Sequence, residues 1–385
     1  MALSLDLLSI LLLVALFQGV FILSVLAIKY KLTSGQPLFL FLMVLALIWF
    51  QAEFLSVRLP YDIKVNLFYG TRYGAWFLLG PLYYFYVKSI IAKPIQKPFV
   101  AGLHFAPFLI FVLFIPLVTG EFLSFRQVHY GMLTSFDAFN ESVSLMQYVY
   151  ATVFVIQFVH LLVYLIITFY MIRQYEINLK GNYSSINTTT LRWLKVVNVL
   201  LLLVLGFVSI FLILFFLTHL YDRNLDYLYV FPMSLLVYLV SYKLAGVQWP
   251  LTQPSNGKAG KYEKSSLKTD QAKIYSRQLE EYLLKAKPYL INELRLQELA
   301  EMLNIPSHHL SQVINEHLQT TFFDFINRHR VEEAKTLMKS DTESSLLEIA
   351  FKAGFNNKTS FTNAFKKFTS QTPLDYRQQH RFHKN

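Results

Sequence analysis

Apolar residues fill the first two thirds of the chain in seven blocks, approximately 5–28, 38–59, 73–92, 99–119, 146–172, 196–220 and 227–247. Each is near or above the ~20 residues that a helix needs to cross a hydrocarbon layer. Core helices of soluble domains rarely repeat at that length, so the pattern predicts a seven-helix transmembrane domain over residues 1–249. Met1–Asp6 carries no basic residue and the run that follows is long, which argues against a cleavable signal peptide.

The pattern changes after residue 249. Pro250, Pro254, Asn256-Gly257 and Gly260 interrupt it, and Lys258, Lys261, Lys264 and Lys268 follow at spacings of three to four. Residues 250–270 therefore read as a flexible basic linker with an r.m.s. span of about 25 Å, suited to a surface of anionic lipid. Residues 271–287 read as an amphipathic helix with Ile274, Leu279, Tyr282 and Leu283 on its apolar side.

From Leu296 onward one pattern is written twice. Gln297-Glu-Leu-Ala-Glu-Met-Leu-Asn-Ile305 and Ser307-His-His-Leu-Ser-Gln-Val-Ile314 form the first copy. The second is Leu347-Glu-Ile-Ala-Phe-Lys-Ala-Gly-Phe355 and Lys358-Thr-Ser-Phe-Thr-Asn-Ala-Phe365. The first halves superpose at an offset of 50 and the second halves at 51. Each copy has the logic of a helix-turn-helix. A short helix places Leu or Ile beside a small Ala, a left-handed residue (Asn304 or Gly354) ends it, and a second helix repeats apolar residues at i, i+3 and i+4. The outer face of the second helix carries His308, Ser311 and Gln312 in one copy, and Lys358, Thr359, Thr362 and Asn363 in the other. Side chains of these types reach base edges in a major groove. Between the copies, Thr321–Met338 reads as a helix of about 27 Å. That length holds two reading helices roughly one duplex turn, ~34 Å, apart.

This segment resembles the DNA-binding domain of AraC/XylS-type transcription regulators. The most specific residues are Ile349-Ala350, Gly354-Phe355, Ser360-Phe361, Phe365-Lys366-Lys367-Phe368, Thr372-Pro373 and Tyr376-Arg377. The likeness covers roughly 271–380 and implies a domain over 271–385 with two helix-turn-helix motifs. It implies base reading by His308, Ser311, Gln312, Lys358, Thr359, Thr362 and Asn363, with Lys366 and Lys367 near the phosphate backbone. It also implies double-stranded DNA, RNA polymerase and a second copy of the chain as partners. The chain departs from the family at Gln319, where a Gly is usual, and at Asn315 and Glu316, where basic residues are common. Ser307–Leu318 has no Lys or Arg, so the second copy carries the stronger phosphate grip.

Composition narrows the chemistry. There is no Cys, which excludes disulfides, thiolate metal sites and a thiol nucleophile. The net charge of +11 is shared evenly: 20 Lys and Arg against 15 Asp and Glu from residue 258 onward, and 15 against 9 before it. Charge alone therefore names no partner. It does bear on topology. If the DNA-binding tail is cytoplasmic, seven crossings put the N-terminus outside. The inner loops then hold Lys29, Lys31, Lys88, Lys93, Lys97, Arg173, Lys180, Arg192 and Lys195. The outer loops hold Arg58, Lys64, Arg72, Arg126 and Arg223. Nine against five follows the positive-inside rule and places the chain in the cell membrane.

Polar residues within the spans are costly and mark sites of function or of inter-helix hydrogen bonding. Glu53, one turn after Trp49, is one such residue, and His104, Gln157 and His160 are others. Glu53, His104 and His160 are the sensor residues on the first reading. Pro107, Pro116 and Pro232 predict kinks, and the loop over 120–145 predicts an external gate. The run Tyr83-Tyr84-Phe85-Tyr86 predicts an interfacial aromatic belt. His308 and His309 are neighbours on a helix and are expected to point apart, away from a shared metal. The chain shows no His-Glu-x-x-His, no phosphate-cradling Gly loop and no Gly-x-Ser-x-Gly. The expectation is a membrane-embedded transcription regulator with no catalytic residue, cofactor or metal. It answers an unidentified small molecule or extracytoplasmic signal. The alternative is a transporter or receptor whose tail is a regulatory interaction module.

Overall fold

The structure is a computed structural model. It describes residues 7–30, 32, 35–58, 74–91, 98–111, 145–186, 188–217, 227–246, 267, 269–341 and 343–381. The expected gate at 120–144, Pro116, and nearly all of the linker at 250–270 lie outside these, as do Lys64, Lys93, Arg126 and Arg223. Regular structure among the described residues is helical. The chain divides into two compact units: Met1–Ile172 with Thr190–Ser255, and Arg173–Thr189 with Asn256–Asn385.

The first unit contains α1 (Leu7–Lys29), α2 (Gln36–Arg58), α3 (Trp76–Ile91), α4 (Pro98–Leu103) and α5 (Ala106–Leu109). It also holds the larger part of α6 (Leu145–Asn182), α7 (Thr188–Leu217) and α8 (Tyr227–Gly246). Among the described residues four helices are long and apolar enough to cross a membrane: Ser9–Lys29, Gln36–Leu55, Val155–Asn182 and Thr190–Leu214. Among the described residues the seven expected blocks are represented by these four long helices and by shorter apolar helices beside them. Helix α3 has 16 residues and contains Pro81. In α8 the apolar core is Val230–Val240, around Pro232. The described part of the fourth block is two short helices broken at His104-Phe105. Pro107 in the first turn of α5 lacks the N–H that would continue α4.

Helix α3 is the buried piece of this unit. Trp76 lies edge-on to Phe50 of α2 at 5.5 Å and to Phe158 of α6 at 5.0 Å. The expected aromatic belt is a correction: Tyr83, Phe85 and Tyr86 are buried in the core. The Tyr83 hydroxyl donates to the Leu194 carbonyl (2.9 Å), and the Trp193 indole donates to the Tyr86 hydroxyl (3.0 Å). Their hydroxyls are satisfied by α7, so they need no headgroup water.

The second unit contains α9 (Thr269–Ala286), a 3-10 turn (Pro288–Leu290), α10 (Leu296–Met302) and α11 (Ser307–Gln312), which widens into a π-turn (Val313–His317). It continues with α12 (Phe322–Ser340), α13 (Leu346–Lys352), α14 (Lys358–Thr369) and α15 (Pro373–Arg381). It has two hydrophobic cores, and α12 supplies both. Phe322, Phe325 and Ile326 join Leu299, Leu310 and Ile314 of the first copy and Leu279 and Leu283 of α9. Val331, Ala334 and Met338 join Ile349, Phe355, Phe361 and Phe365 of the second. Ile274, expected on the apolar side of α9, is 63% exposed. The buried positions are Ala272, Ser276, Leu279 and Leu283, and this stripe faces away from Ile274.

Candidate nucleic-acid interface

The two copies close their turns with the same backbone bonds. The Ile305 N–H donates to the Ala300 carbonyl at 2.9 Å, and the Phe355 N–H to the Ala350 carbonyl at 2.9 Å. Asn304 (φ 55°) and Gly354 (φ 90°) are the left-handed residues that allow it. At Gly354 a second demand is added: a Cβ would lie 2.6 Å from the Tyr289 carbonyl oxygen.

The second copy is built firmly. Ser345 and Glu348 form a reciprocal cap on α13, with bonds of 3.2 and 2.6 Å. Asn357 caps α14 by accepting from the Ser360 N–H at 2.8 Å. Phe361 and Phe365 bury one side of α14, and Lys358, Thr359, Asn363 and Lys366 are exposed on the other. Thr362 is half-buried beside them. Lys367 is exposed but its ammonium pairs with the Asp324 carboxylate at 2.7 Å. It thereby ties α14 to the first turn of α12 and needs to exchange that partner to hold a phosphate.

The first copy differs from its expected form. Ser311 is 4% exposed and its hydroxyl accepts from the Asn315 amide at 3.1 Å. It sits about 60° around the helix from the buried Ile314, so it falls at the edge of the core face and not among the exposed positions. His308 and Gln312 are half-buried, and Gln312 Oε1 has no partner among the described residues. His309 turns towards α9, where its ring stacks on Tyr275 at 5.9 Å. The expectation that His308 and His309 point apart is also corrected: their ring centroids are 4.1 Å apart. Burial and the neighbouring His308 hold His309 below the usual imidazole range. Among the described residues no group of three or more His, Cys, Asp or Glu gathers to hold a metal.

One residue that the sequence pattern did not single out organises the unit. Arg330 of α12 is fully buried between the two cores. Its guanidinium donates to the carbonyls of Tyr289 (2.7 Å), Ile291 (2.7 Å) and Asn292 (3.1 Å), and lies 5.8 Å from the Phe355 ring. Desolvation lowers its pKa to about 10, so it remains a cation at neutral pH. Its position on the stripe Ile326, Arg330, Ala334 was the available signal.

In the first unit, His104 and His160 meet the same side chain. His104 Nδ1 is 2.6 Å from the Tyr164 hydroxyl, and the His160 ring is edge-on to the Tyr164 ring at 4.9 Å. Tyr84 stacks on His104 at 5.4 Å, and Gly80, having no Cβ, lets the Tyr164 ring come close to α3. His160 Nδ1 and Gln157 Oε1 are buried with no hydrogen-bond partner among the described residues. Glu53 is 1% exposed on α2, although Trp49 one turn before it is well exposed.

Two helix-turn-helix units on the two halves of one helix define the C-terminal unit as a DNA-binding module of the regulator type. The family model and the sequence relatives agree. A family model described as a helix-turn-helix domain matches residues 299–379. Over 85 residues the chain is 40% identical to an uncharacterised HTH-type transcriptional regulator of Staphylococcus aureus (strain COL), covering 22% of this chain and 11% of that protein. Over 90 residues it is 31% identical to the uncharacterised HTH-type transcriptional regulator YtdP of Bacillus subtilis (strain 168), covering 23% of this chain and 12% of that one. The matches thus span about a tenth of these relatives' length. Among solved structures, the C-terminal domain of AraT, a response regulator from Geobacillus stearothermophilus, is 30% identical. That match covers 30% of this chain and 88% of the other, with a TM-score of 0.25.

Proposed function

We propose that the chain is a membrane-embedded, one-component transcription regulator of AraC/XylS type. Its C-terminal unit binds specific duplex DNA, and its N-terminal helices respond to a signal at or in the membrane. The observation that carries this reading is the exposed face of α14, with Lys358, Thr359, Asn363 and Lys366 on a helix whose other face is locked into a core. Asn363 and Thr359 are suited to base edges, and Lys366 to the phosphate backbone. Helix α12, with 19 residues and so about 28 Å long, spaces the two copies for successive turns of one groove.

The membrane reading is supported by the four long apolar helices. The folding of Arg173–Thr189 together with the C-terminal residues supports one common side for these segments, and that side is the cytoplasm if the C-terminal unit is to meet DNA. Two segments of one compact unit lie on one side of a bilayer, and α7 and α8 between them make an even number of crossings. The sensing site, on this reading, is the His104–Tyr164–His160 cluster, where unpartnered Gln157 and His160 atoms offer a polar ligand two bonds. Glu53 is a second buried polar group in the same unit. Action as a homodimer that recruits RNA polymerase is carried over from the family resemblance.

The test is capture of genomic fragments by the full-length chain in lipid nanodiscs. One enriched motif is expected. Asn363→Ala changes that motif, whereas Lys366→Ala weakens all sites alike and reduces the salt dependence by about one phosphate contact. No enrichment at low salt from a folded, dimerised chain sinks the reading.

A further inference from the structure

Within the second unit, four residues from the α6–α7 connection are packed against a domain more than a hundred residues further along the chain. Tyr183 forms an isolated antiparallel bridge with Arg295, and the Ser184 N–H donates to the Leu294 carbonyl at 3.1 Å. The Arg295 guanidinium lies over the Tyr183 ring at 5.7 Å. Asn327 of α12 donates its amide to the Ser184 carbonyl at 3.3 Å. Arg330 donates to that carbonyl at 3.4 Å and to the Ser184 hydroxyl at 3.1 Å. Ser184 is 1% exposed and Ile186 is buried as well.

The geometry points to a built-in docking site: we propose that Tyr183–Ile186 is an internal ligand of the linker helix α12, through which the ends of α6 and α7 hold the DNA-binding unit. Every polar group of Ser184 is used, both backbone groups and the side chain, which marks a seated segment and not a passing loop. The guanidinium that donates to Ser184 also donates to the carbonyls of Tyr289, Ile291 and Asn292, and it belongs to Arg330, the residue between the two cores. A shift of the connection is therefore felt where the two helix-turn-helix units join. None of these contacts involves α11 or α14, so docking leaves the reading faces uncovered.

The size of the contact suits a reversible device. One bridge and a few hydrogen bonds do not hold two separate molecules together against the cost of association. In one chain the connection sits at an effective concentration in the millimolar range, which makes a weak contact sufficient and leaves it easy to shift. A signal that moves α6 against α7 needs only to favour the docked or the undocked connection.

The absence of Cys from the chain makes the test clean. The bond one residue beyond the Tyr183–Arg295 pair marks it as the narrow kind, with Cα atoms about 4.5 Å apart, within reach of a disulfide. Full-length Tyr183→Cys/Arg295→Cys, carrying a protease site in the linker, is oxidised mildly in native membranes and then cleaved. The two fragments are expected to stay joined until reduced. The reference pair is Tyr183→Cys/Lys339→Cys, whose second site lies nine residues along α12 from Arg330, about 13 Å away. It is expected to cross-link at least about ten-fold more slowly. Equal rates, or no link in either, overturn the proposal. A second measurement needs no substitution: hydrogen exchange of the unmodified chain in nanodiscs. Exchange at Ser184 at least about ten-fold slower than in an unstructured segment is expected, and exchange at the free rate overturns docking. Neither readout depends on DNA, so failure here is distinguishable from failure of the regulatory reading.

Discussion

Two left-handed residues have opposite consequences on substitution. Gln319 adopts φ 49°, at the position where the resembling family has Gly. A side chain there carries steric cost that Gly lacks, so Gln319→Gly is expected to stabilise the C-terminal unit by about 0.5–1 kcal/mol in urea titrations. Gly354 is the reverse case. Its φ of 90° and the Tyr289 carbonyl 2.6 Å from any added Cβ leave no room. Gly354→Ala is expected to cost about 2–4 kcal/mol, seen as a lower urea midpoint with loss of DNA binding. His329 supplies a pH dependence. It stacks on Tyr289 at 5.6 Å and is edge-on to Phe325 at 5.0 Å, and burial, reinforced by Arg328, lowers its pKa below 6.5. The unfolded chain therefore takes the proton first. The stability contributed is complete above the unfolded value and is lost as pH falls below about 6.5. Thermal midpoints of the C-terminal unit should fall between pH 7.5 and 5.5, and His329→Gln should flatten that slope, leaving the dependence from His309.

At the scale of elements, α12 carries the argument. Its first half belongs to one core and its second half to the other, with Arg330 between them. Arg330→Met keeps the volume but removes donors to four carbonyls and one hydroxyl. The Ser184 and Ile291 carbonyls keep bonds from the Asn327 amide and the Leu294 N–H, but the Tyr289 carbonyl loses its Arg330 donor beside the two cores, and a loss of about 2–3 kcal/mol is expected by chemical denaturation of the full-length chain. The period of the helices was readable in advance, and so were the turns at Asn304 and Gly354, because both depend on residues three to five apart. Which side of α9 is buried was not. Ile274 and Leu279 are both apolar, and only the elements packed against α9 decide that the stripe from Ala272 to Leu283 is covered. Ser311 is buried for a related reason. A residue at the edge of a helix face is exposed or buried according to how the next turn runs, and here a π-turn follows it.

At the scale of the whole molecule, the regulatory reading predicts a definite topology. In the Cys-free chain, single cysteines at Lys180 and Gln371 should label with a membrane-impermeant maleimide only after the inner face is opened. A cysteine at Ser135 should label from outside in intact cells. Labelling of all three from one side would rule out a crossing by α6 between Ser135 and Lys180.

The lengths of the apolar blocks, the doubled helix-turn-helix and the polar face of α14 follow from the sequence itself. Each is a matter of spacing along a helix, and side-chain type and spacing are what a sequence records. The tertiary structure alone decided that Tyr83 and Tyr86 are bonded within the helix core, that His104 and His160 meet at Tyr164, and that Ser184 meets Arg330. The last is the clearest case. Ser184 and Arg330 are separated by 146 positions, and most of what Arg330 holds is backbone carbonyl. Every residue carries that same group, so no letter in the sequence marks which carbonyls a buried guanidinium will find.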